Sequence, residues 1–336
     1  MSKKDMSFDT KLIHAGEPDP RIEGAVSVPI FQSSTFEYAG QTDYDSLRYI
    51  RLNNTPNHIA LHKKLAALEG AEAALVTSSG MSAITTALLT YLKSGDHLLA
   101  HSTLYGGTAD YVKHDLPQYG IEVDFFDAMI PDDWESKVKS NTKVVYVETI
   151  TNPLMSVPEL GAIIELGKKH KLISMIDNTF ASPALYCPIM QGFDISLHSA
   201  TKYLNGHTDI VAGVVIGSEN NISKVRSKLN HLGGSLDPNA CFLLHRGIKT
   251  LSLRMNRQCQ NAMAIAQFLE NHPTVKQVNY PGLESNPSHN RAKEYLCGFG
   301  AMISFELAGD VHAADAFMGR LEYPICTASL GGVESL

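Results

Sequence analysis

The stretch 196–213, SLHSATKYLNGHTDIVAG, places a lysine, Lys202, among small and hydroxyl-bearing residues: Ser196, Ser199, Ala200 and Thr201. A strand-like apolar segment precedes it, and another follows over 212–217. A lysine held between apolar strands loses solvation for its ammonium, so its pKa falls and the neutral amine becomes available as nucleophile and base. Such an amine forms an imine with an aldehyde, and pyridoxal phosphate is the cofactor that offers one. That chemistry needs three more parts. A carboxylate must keep the pyridine nitrogen protonated, a cradle must hold the phosphate, and a flat group must stack on the ring.

Candidates for each part exist. Asp177 closes an apolar run, 172–176, and is followed by Asn178-Thr179-Phe180. It reads equally as a helix cap or as the cofactor's carboxylate. Tyr105 sits in the turn Leu104-Tyr105-Gly106-Gly107-Thr108, where an aromatic is either core or a stacking group. Ser78-Ser79-Gly80-Met81 joins a short strand to an apolar helix, the order that aims backbone N–H groups at a phosphate; an ordinary serine-capped connection has the same pattern. Asn152 stands before Pro153, as a turn residue does. The four signals share an order and a location at strand ends, which strengthens the set beyond its members.

Ser199-Ala200-Thr201-Lys202 also matches SxxK, the nucleophile motif of penicillin-binding acyl enzymes. Those enzymes need an SDN-type element and a KTG strand. Here Lys249-Thr250 is followed by Leu251 within a helical pattern, and Tyr203-Leu204-Asn205 adjoins the lysine. The acyl-enzyme reading therefore lacks its partners. His58 and His62, four apart without the Glu of HExxH, read as solvated or capping residues rather than metal ligands.

The elements that must position these residues alternate along the chain. Strands are expected over 73–77, 97–101, 121–126, 144–148, 172–176, 195–198 and 211–216. Helices are expected over 57–69, from Ser78 through Lys93, near 110–114, near 132–138 and over 158–170. Several strands are continuous apolar runs, as in sheets buried on both faces. The pattern predicts an α/β domain with a mainly parallel sheet, whose ligands sit beyond the strand C-termini. From Pro238 it changes: long helices over 240–258 and 262–271, a strand over 275–280, a loop over 281–288, a short helix near 291–296 and a strand over 301–306. The expected organisation is an irregular N-terminal arm (1–56), a large domain (57–237) and a smaller α+β domain (238–336).

Composition sets outer bounds. The chain has 336 residues, 44 % hydrophobic and 19 % charged, with net charge −7. That balance disfavours nucleic acid and acidic membranes as partners. No apolar run reaches the roughly 18 residues of a membrane span. The start, MSKKDMSFDTK, lacks the apolar core of a signal peptide. The five cysteines are scattered without a CxxC pair, which fits reduced thiols in a cytoplasm.

Taken together, SSGMSAI, TLYGGT, ETITNPLM, IDNTFASP, SLHSATKYLNGHTD, RGIKTLSLRM, YPGL and SLGGVESL resemble the Cys/Met-metabolism family of pyridoxal phosphate enzymes, which includes cystathionine lyases and synthases and methionine γ-lyase. The resemblance implies fold type I, the aspartate-aminotransferase-like architecture, and pyridoxal 5'-phosphate as cofactor. It implies that Lys202 forms the imine and shuttles protons, that Asp177 pairs with the pyridine nitrogen, and that Tyr105 stacks on the ring and assists as acid or base. It implies a phosphate cradle of Gly80, Met81, Ser199 and Thr201, with Thr179 near the ring. Tyr49 and Arg51 match a Tyr-x-Arg pair that reaches a neighbouring subunit's phosphate, which implies a homotetramer built as a dimer of dimers. Asn152 and Ser329 resemble residues touching the substrate carboxylate. The implied activity is carbon–sulfur cleavage of a small sulfur amino acid by β- or γ-elimination, with a synthase or sulfhydrylase acting on acylated homoserine as the alternative.

Departures from the family pattern lie at Asn54-Thr55-Pro56, usually Asn-Pro-Thr, and at Ala328 and Asp110, where cystathionine γ-lyases carry Glu and Arg. Gly107 stands where methionine γ-lyases carry Cys. Relatives continue for some tens of residues past SLGGVESL, in a segment bearing the arginine that pairs with the substrate carboxylate. The expectation is therefore a shortened small domain and a weakened carboxylate site, with a cofactor-binding but inactive chain as a further alternative.

Overall fold

Seven short strands set the architecture of the computed structural model, which describes residues 6–44 and 46–336. They are β1 (Ala73–Thr77), β2 (His97–His101), β3 (Glu122–Phe126), β4 (Thr142–Glu148), β5 (Ile173–Asp177), β6 (Ile195–Ser199) and β7 (Gly213–Gly217). All seven expected strands form, with ends moved by one or two residues. Their spatial order is β1-β7-β6-β5-β4-β2-β3. β2 to β6 run parallel, and β7 runs antiparallel to both β6 and β1.

The apolar runs are explained by burial on both faces. Ala74, Val76, Val145, Val147 and Ile176 feed one core cluster. Their alternating neighbours Ala73, Leu75, Val144, Tyr146 and Met175 feed the other. The first face is covered by helices Pro56–Glu69, Leu160–His170 and Pro238–Ile248, through Leu61, Leu65, Ile163, Leu244 and Ile248. The second is covered by Gly80–Tyr91 and Glu219–Leu232, through Ala83, Leu88, Ile222, Val225 and Leu229. Each such aliphatic side chain contributes about 1.5–3 kcal/mol on full burial. Helices on both faces of a mostly parallel sheet are the doubly covered α/β arrangement.

Several local expectations are corrected. The arm is not wholly irregular: Phe8–His14 is helical, with Ser7 Oγ accepting from Thr10 N and Leu12 buried. Residues 1–5 of the arm, and Asp45, lie outside the described residues. Helix Glu219–Leu232 went unanticipated because its residues are mostly polar. Its signal is the i, i+3, i+7 set Ile222, Val225 and Leu229, between a Ser218 cap and a left-handed Gly233. The long helix expected over 240–258 breaks earlier. Pro238–Ile248 and Leu251–Glu270 meet at Lys249-Thr250, and the second helix runs on without interruption through 259–261. Leu251, Met255, Ala262 and Ala266 form its continuous buried stripe.

His58 is buried rather than solvated. Its Nε2–H donates to Leu236 O at 2.7 Å, so Nδ1 accepts from Thr55 Oγ1 at 2.7 Å. His62 Nε2 accepts from Val76 N at 3.0 Å. Among the described residues no cluster of His, Cys, Asp or Glu could hold a metal ion, and no helix is long and apolar enough to cross a membrane. Beyond the main cores, β8 (Val275–Asn279) and β9 (Ser304–Leu307) pair antiparallel. They lie beside a small cluster of Ala262, Ala266, Tyr280 and Leu283.

Candidate active site

A cavity of about 930 Å³ opens beyond the C-terminal ends of β1, β4, β5 and β6. Each of those strands delivers a polar residue where its backbone ladder runs out. Lys202, Tyr105, Asp177, Thr179, Gly80, Met81, Ser199, Thr201, Asn152 and Ser329 all line it. Of the residues singled out in the sequence, Tyr49 and Arg51 do not. Arg51 donates to Asn230 O at 2.7 Å and to the Tyr44 hydroxyl, with its guanidinium over the Tyr44 and Tyr49 rings.

β1 passes through Ser78-Ser79 into helix Gly80–Tyr91. Ser79 Oγ caps the helix by accepting from Ser82 N at 3.0 Å. The first N–H groups of a helix have no partner within it, and its dipole is positive there. A Cβ on Gly80 would lie 2.8 Å from Ser199 Cβ, so only glycine lets this helix start against Ser199. Thr201 contributes wall rather than a free hydroxyl. Its Oγ1 donates to Ala212 O at 3.2 Å and accepts from Ala212 N at 3.0 Å.

Asp177 is the last residue of β5. Thr179 holds it twice, through N at 2.9 Å and Oγ1 at 2.5 Å, both on Oδ1. Ser199 N in turn donates to Thr179 Oγ1 at 2.8 Å. Burial raises the Asp177 pKa, and the two Thr179 bonds and His198 oppose that rise. Beside it, in register on β4, stands Glu148. Glu148 also lines the cavity, accepting from Tyr105 N at 2.6 Å and from Asn152 N at 3.2 Å. Burial and then Asp177 push its pKa well above the usual carboxyl range, against the two N–H donors. Two buried carboxyls side by side resist joint ionisation until a cation reaches one of them.

Sequence reasoning passed over Glu148 as a site residue. The signal was present: the run 144–148 ends in an acid just as the run before Asp177 does. The Tyr105 ring is half exposed, at 48 %. It lies over Gly107, where a Cβ would come within 2.7 Å of Tyr105 Cε1.

Lys202 follows β6 in a tight turn, with Lys202 N donating to Ser199 O and Gly206 N to Lys202 O. Its Nζ donates to Ser329 Oγ at 3.2 Å. Burial lowers its pKa. Ser329 comes from the far end of the chain. Its segment lies on the lysine turn, where a Cβ on Gly331 (φ 80°) would stand 2.6 Å from Tyr203 N.

This donor set fits pyridoxal phosphate: an amine of lowered basicity, a buried carboxylate with one oxygen outside the Thr179 bonds, and a helix N-terminus with a glycine-made hollow for an anion. An α/β protein with that site falls in the class of pyridoxal phosphate-dependent enzymes of fold type I. The chain belongs to the Cys/Met metabolism PLP-dependent enzyme family, whose model matches residues 9–336.

It is 43 % identical over 317 residues to a probable cystathionine gamma-synthase of Herpetosiphon aurantiacus, covering 94 % of this chain and 99 % of that one. It is 42 % identical over 332 residues to the cystathionine gamma-lyase of Bacillus subtilis, covering 98 % and 87 %. The crystal structure of metB from Corynebacterium glutamicum superposes with a TM-score of 0.95 at 36 % identity, covering 99 % of this chain and 87 % of that one.

Proposed function

We propose that the chain is a carbon–sulfur lyase of sulfur amino acids, cleaving cystathionine-like substrates by β- or γ-elimination. The observation that carries this reading is the placement of Lys202 Nζ, half-buried and hydrogen-bonded to Ser329, in the cavity that Asp177 also lines. Pyridoxal phosphate, when bound, supplies an electron sink for the pair left on the substrate Cα as its proton departs.

The residues then divide the work. Asp177, fixed by Thr179, holds the ring nitrogen in its protonated form. Gly80 and Met81, with Ser199, receive the phosphate, and Thr201 walls that cradle. Tyr105 covers the ring face and stands ready as an acid or base. Lys202 Nζ would hold the cofactor through its aldehyde, and its neutral amine would take the substrate Cα proton. Its lowered basicity keeps a usable share of neutral amine. Asn152 and Ser329 face the substrate carboxylate, and Ser329 also aims Lys202. For γ-elimination a second proton must leave Cβ before the sulfur departs, and we assign that transfer to Lys202 and Tyr105, both of which line the cavity.

A second reading, a synthase joining an acylated homoserine to a thiol, is favoured by the name of the Herpetosiphon relative, a probable cystathionine gamma-synthase. We place Tyr49 and Arg51 at a neighbouring subunit's phosphate, in a cytoplasmic homotetramer. Support comes from their position off their own cavity and from the exposed Val26 and Tyr38 of the same arm.

The test is product identification. With cystathionine, a lyase releases a thiol amino acid, ammonia and pyruvate or 2-oxobutyrate; with O-acylhomoserine plus cysteine, a synthase makes a thioether. Lys202→Ala must abolish the borohydride-sensitive visible band. A variant that kept the band would sink both readings.

A further inference from the structure

Helix Leu251–Glu270 carries two polar residues one turn apart, Arg254 and Gln258, that face the catalytic lysine's surroundings without reaching the cavity. Arg254 is half-buried, yet among the described residues none of its bonds is to an acid. Its Nη1 donates to Tyr203 O at 2.8 Å, Nη2 to Gly247 O at 3.0 Å and more weakly to Leu204 O at 3.5 Å, and Nε to Thr250 Oγ1 at 3.0 Å. Desolvating a guanidinium against neutral acceptors is costly, and burial lowers its pKa to about 10. The carbonyls it satisfies belong to the two residues after Lys202 and to the end of helix Pro238–Ile248. Two glycines make room for this packing. A Cβ on Gly206 would fall 2.0 Å from Arg254 Nη1, and one on Gly247 would fall 2.2 Å from Asn205 O.

Gln258 lies four residues on, on the same helix face. Its Nε2 donates to Gly332 O at 2.7 Å, three residues past Ser329. Its Oε1 is buried with no partner among the described residues, so the bond to Gly332 O is what holds the side chain there. A third tie, Thr208 Oγ1 to Glu334 Oε2 at 2.8 Å, joins the lysine loop to the Ser329 segment directly. One helix face thus grips the Lys202 turn at one level and the Ser329 segment at the next.

We propose that Arg254 and Gln258 are positioning residues that set the spacing between the Lys202 turn and the Ser329 segment, and so the Lys202–Ser329 hydrogen bond. Neither touches cofactor or substrate. Both act through the contact between Nζ and Oγ. The inference rests on the proposed attachment of pyridoxal phosphate to Lys202.

The test is a double-mutant cycle on the holoenzyme, read by the pH midpoint at which the visible band of the Lys202-bound cofactor changes. An acceptor at Ser329 favours the protonated nitrogen, so Ser329→Ala lowers that midpoint, by about threefold to tenfold in the ionisation constant for one lost hydrogen bond. Gln258→Leu, a mild change at a half-satisfied side chain, shifts it in the same direction. In the Ser329→Ala background Gln258→Leu adds nothing. Arg254→Lys follows the same pattern, and Gln258→Leu carries the test if Arg254→Lys fails to fold. Asp177, Glu148 and Tyr105 face the same cavity and are unchanged in every arm. Equal shifts of Gln258→Leu in both backgrounds, or a lowered melting temperature with an unmoved midpoint, overturn the proposal while leaving the lyase reading intact. A wild-type protein with no borohydride-sensitive band overturns both.

Discussion

Glu148 and Asp177 are the last residues of two adjacent parallel strands, in register, and both carboxyls line one cavity. Each is anchored by an N–H group of the loop that follows it, and Glu148 also by one from the loop after β2. Glu148 ties down Tyr105 and Asn152, and Asp177 is tied down by Thr179. Burial raises both carboxyl pKa values, and Asp177 raises that of Glu148 further, which favours one shared proton on the pair until a cation arrives.

That proton has a stability signature. Both carboxyls have folded pKa values above their ordinary ones of 4.5 and 3.8. A raised carboxyl pKa contributes stability that is full below the unfolded value and is lost as pH rises through the folded value. The cofactor-free protein is therefore expected to melt at progressively lower temperature as pH climbs above about 4.5. Glu148→Gln should flatten that slope, as thermal scans across pH would register. An unchanged slope in the variant would argue against the shared proton.

Replacing Asp177 by Asn removes the charge facing the ring nitrogen while keeping the shape. Turnover is expected to drop by about 10²–10³-fold, the scale of losing one preorganised electrostatic partner. Steady-state kinetics with the cofactor band still present would separate this from cofactor loss.

Activity should rise with pH on its acid limb, because Lys202 must be neutral to accept the Cα proton. Burial places that limb below the ordinary lysine value of 10.5. A kcat/KM profile that fell from pH 6 to 8 would contradict Lys202 as the base.

At Gly107 a side chain would displace the Tyr105 ring, not the backbone. Gly107→Cys is expected to leave the melting temperature near wild type and to change KM or kcat by up to about a hundredfold, the cost of a misplaced group near the reacting atoms. Near-ultraviolet circular dichroism would report the ring's movement.

The arm is pinned by Glu17. Its Oε1 lies 3.7 Å from the buried Lys64 Nζ and 3.4 Å from His245 Nε2, and Lys64 also donates to Leu12 O and Ile13 O. Glu17→Ala leaves a buried cation without its counter-charge and should cost about 3 kcal/mol, measurable as a lowered denaturant midpoint.

The strands and most of the helices were legible in the residues themselves. Continuous apolar runs such as 144–147 have one favourable fate in a chain of this size, burial on both faces, and glycine and proline marked where they stopped. That Lys202, Asp177 and Tyr105 belong to one site was legible too, because motif order marks the strand ends that line the cavity. Three things needed the tertiary structure. The break at Lys249-Thr250 contains neither glycine nor proline, and Gly247 before it lies inside the helix; Arg254 of the next helix bonds Gly247 O across the break. The pairing of Glu148 with Asp177 depends on strand register, which brings together residues 29 apart in sequence. The contact of Lys202 with Ser329 spans 127 residues. Local sequence determines which segments are buried and which groups are reactive, since those follow from each residue's own solvation. Which groups meet is decided by long-range packing, which sets Lys202 beside Ser329 and Glu148 beside Asp177, because register and helix packing do not follow from any one residue's solvation.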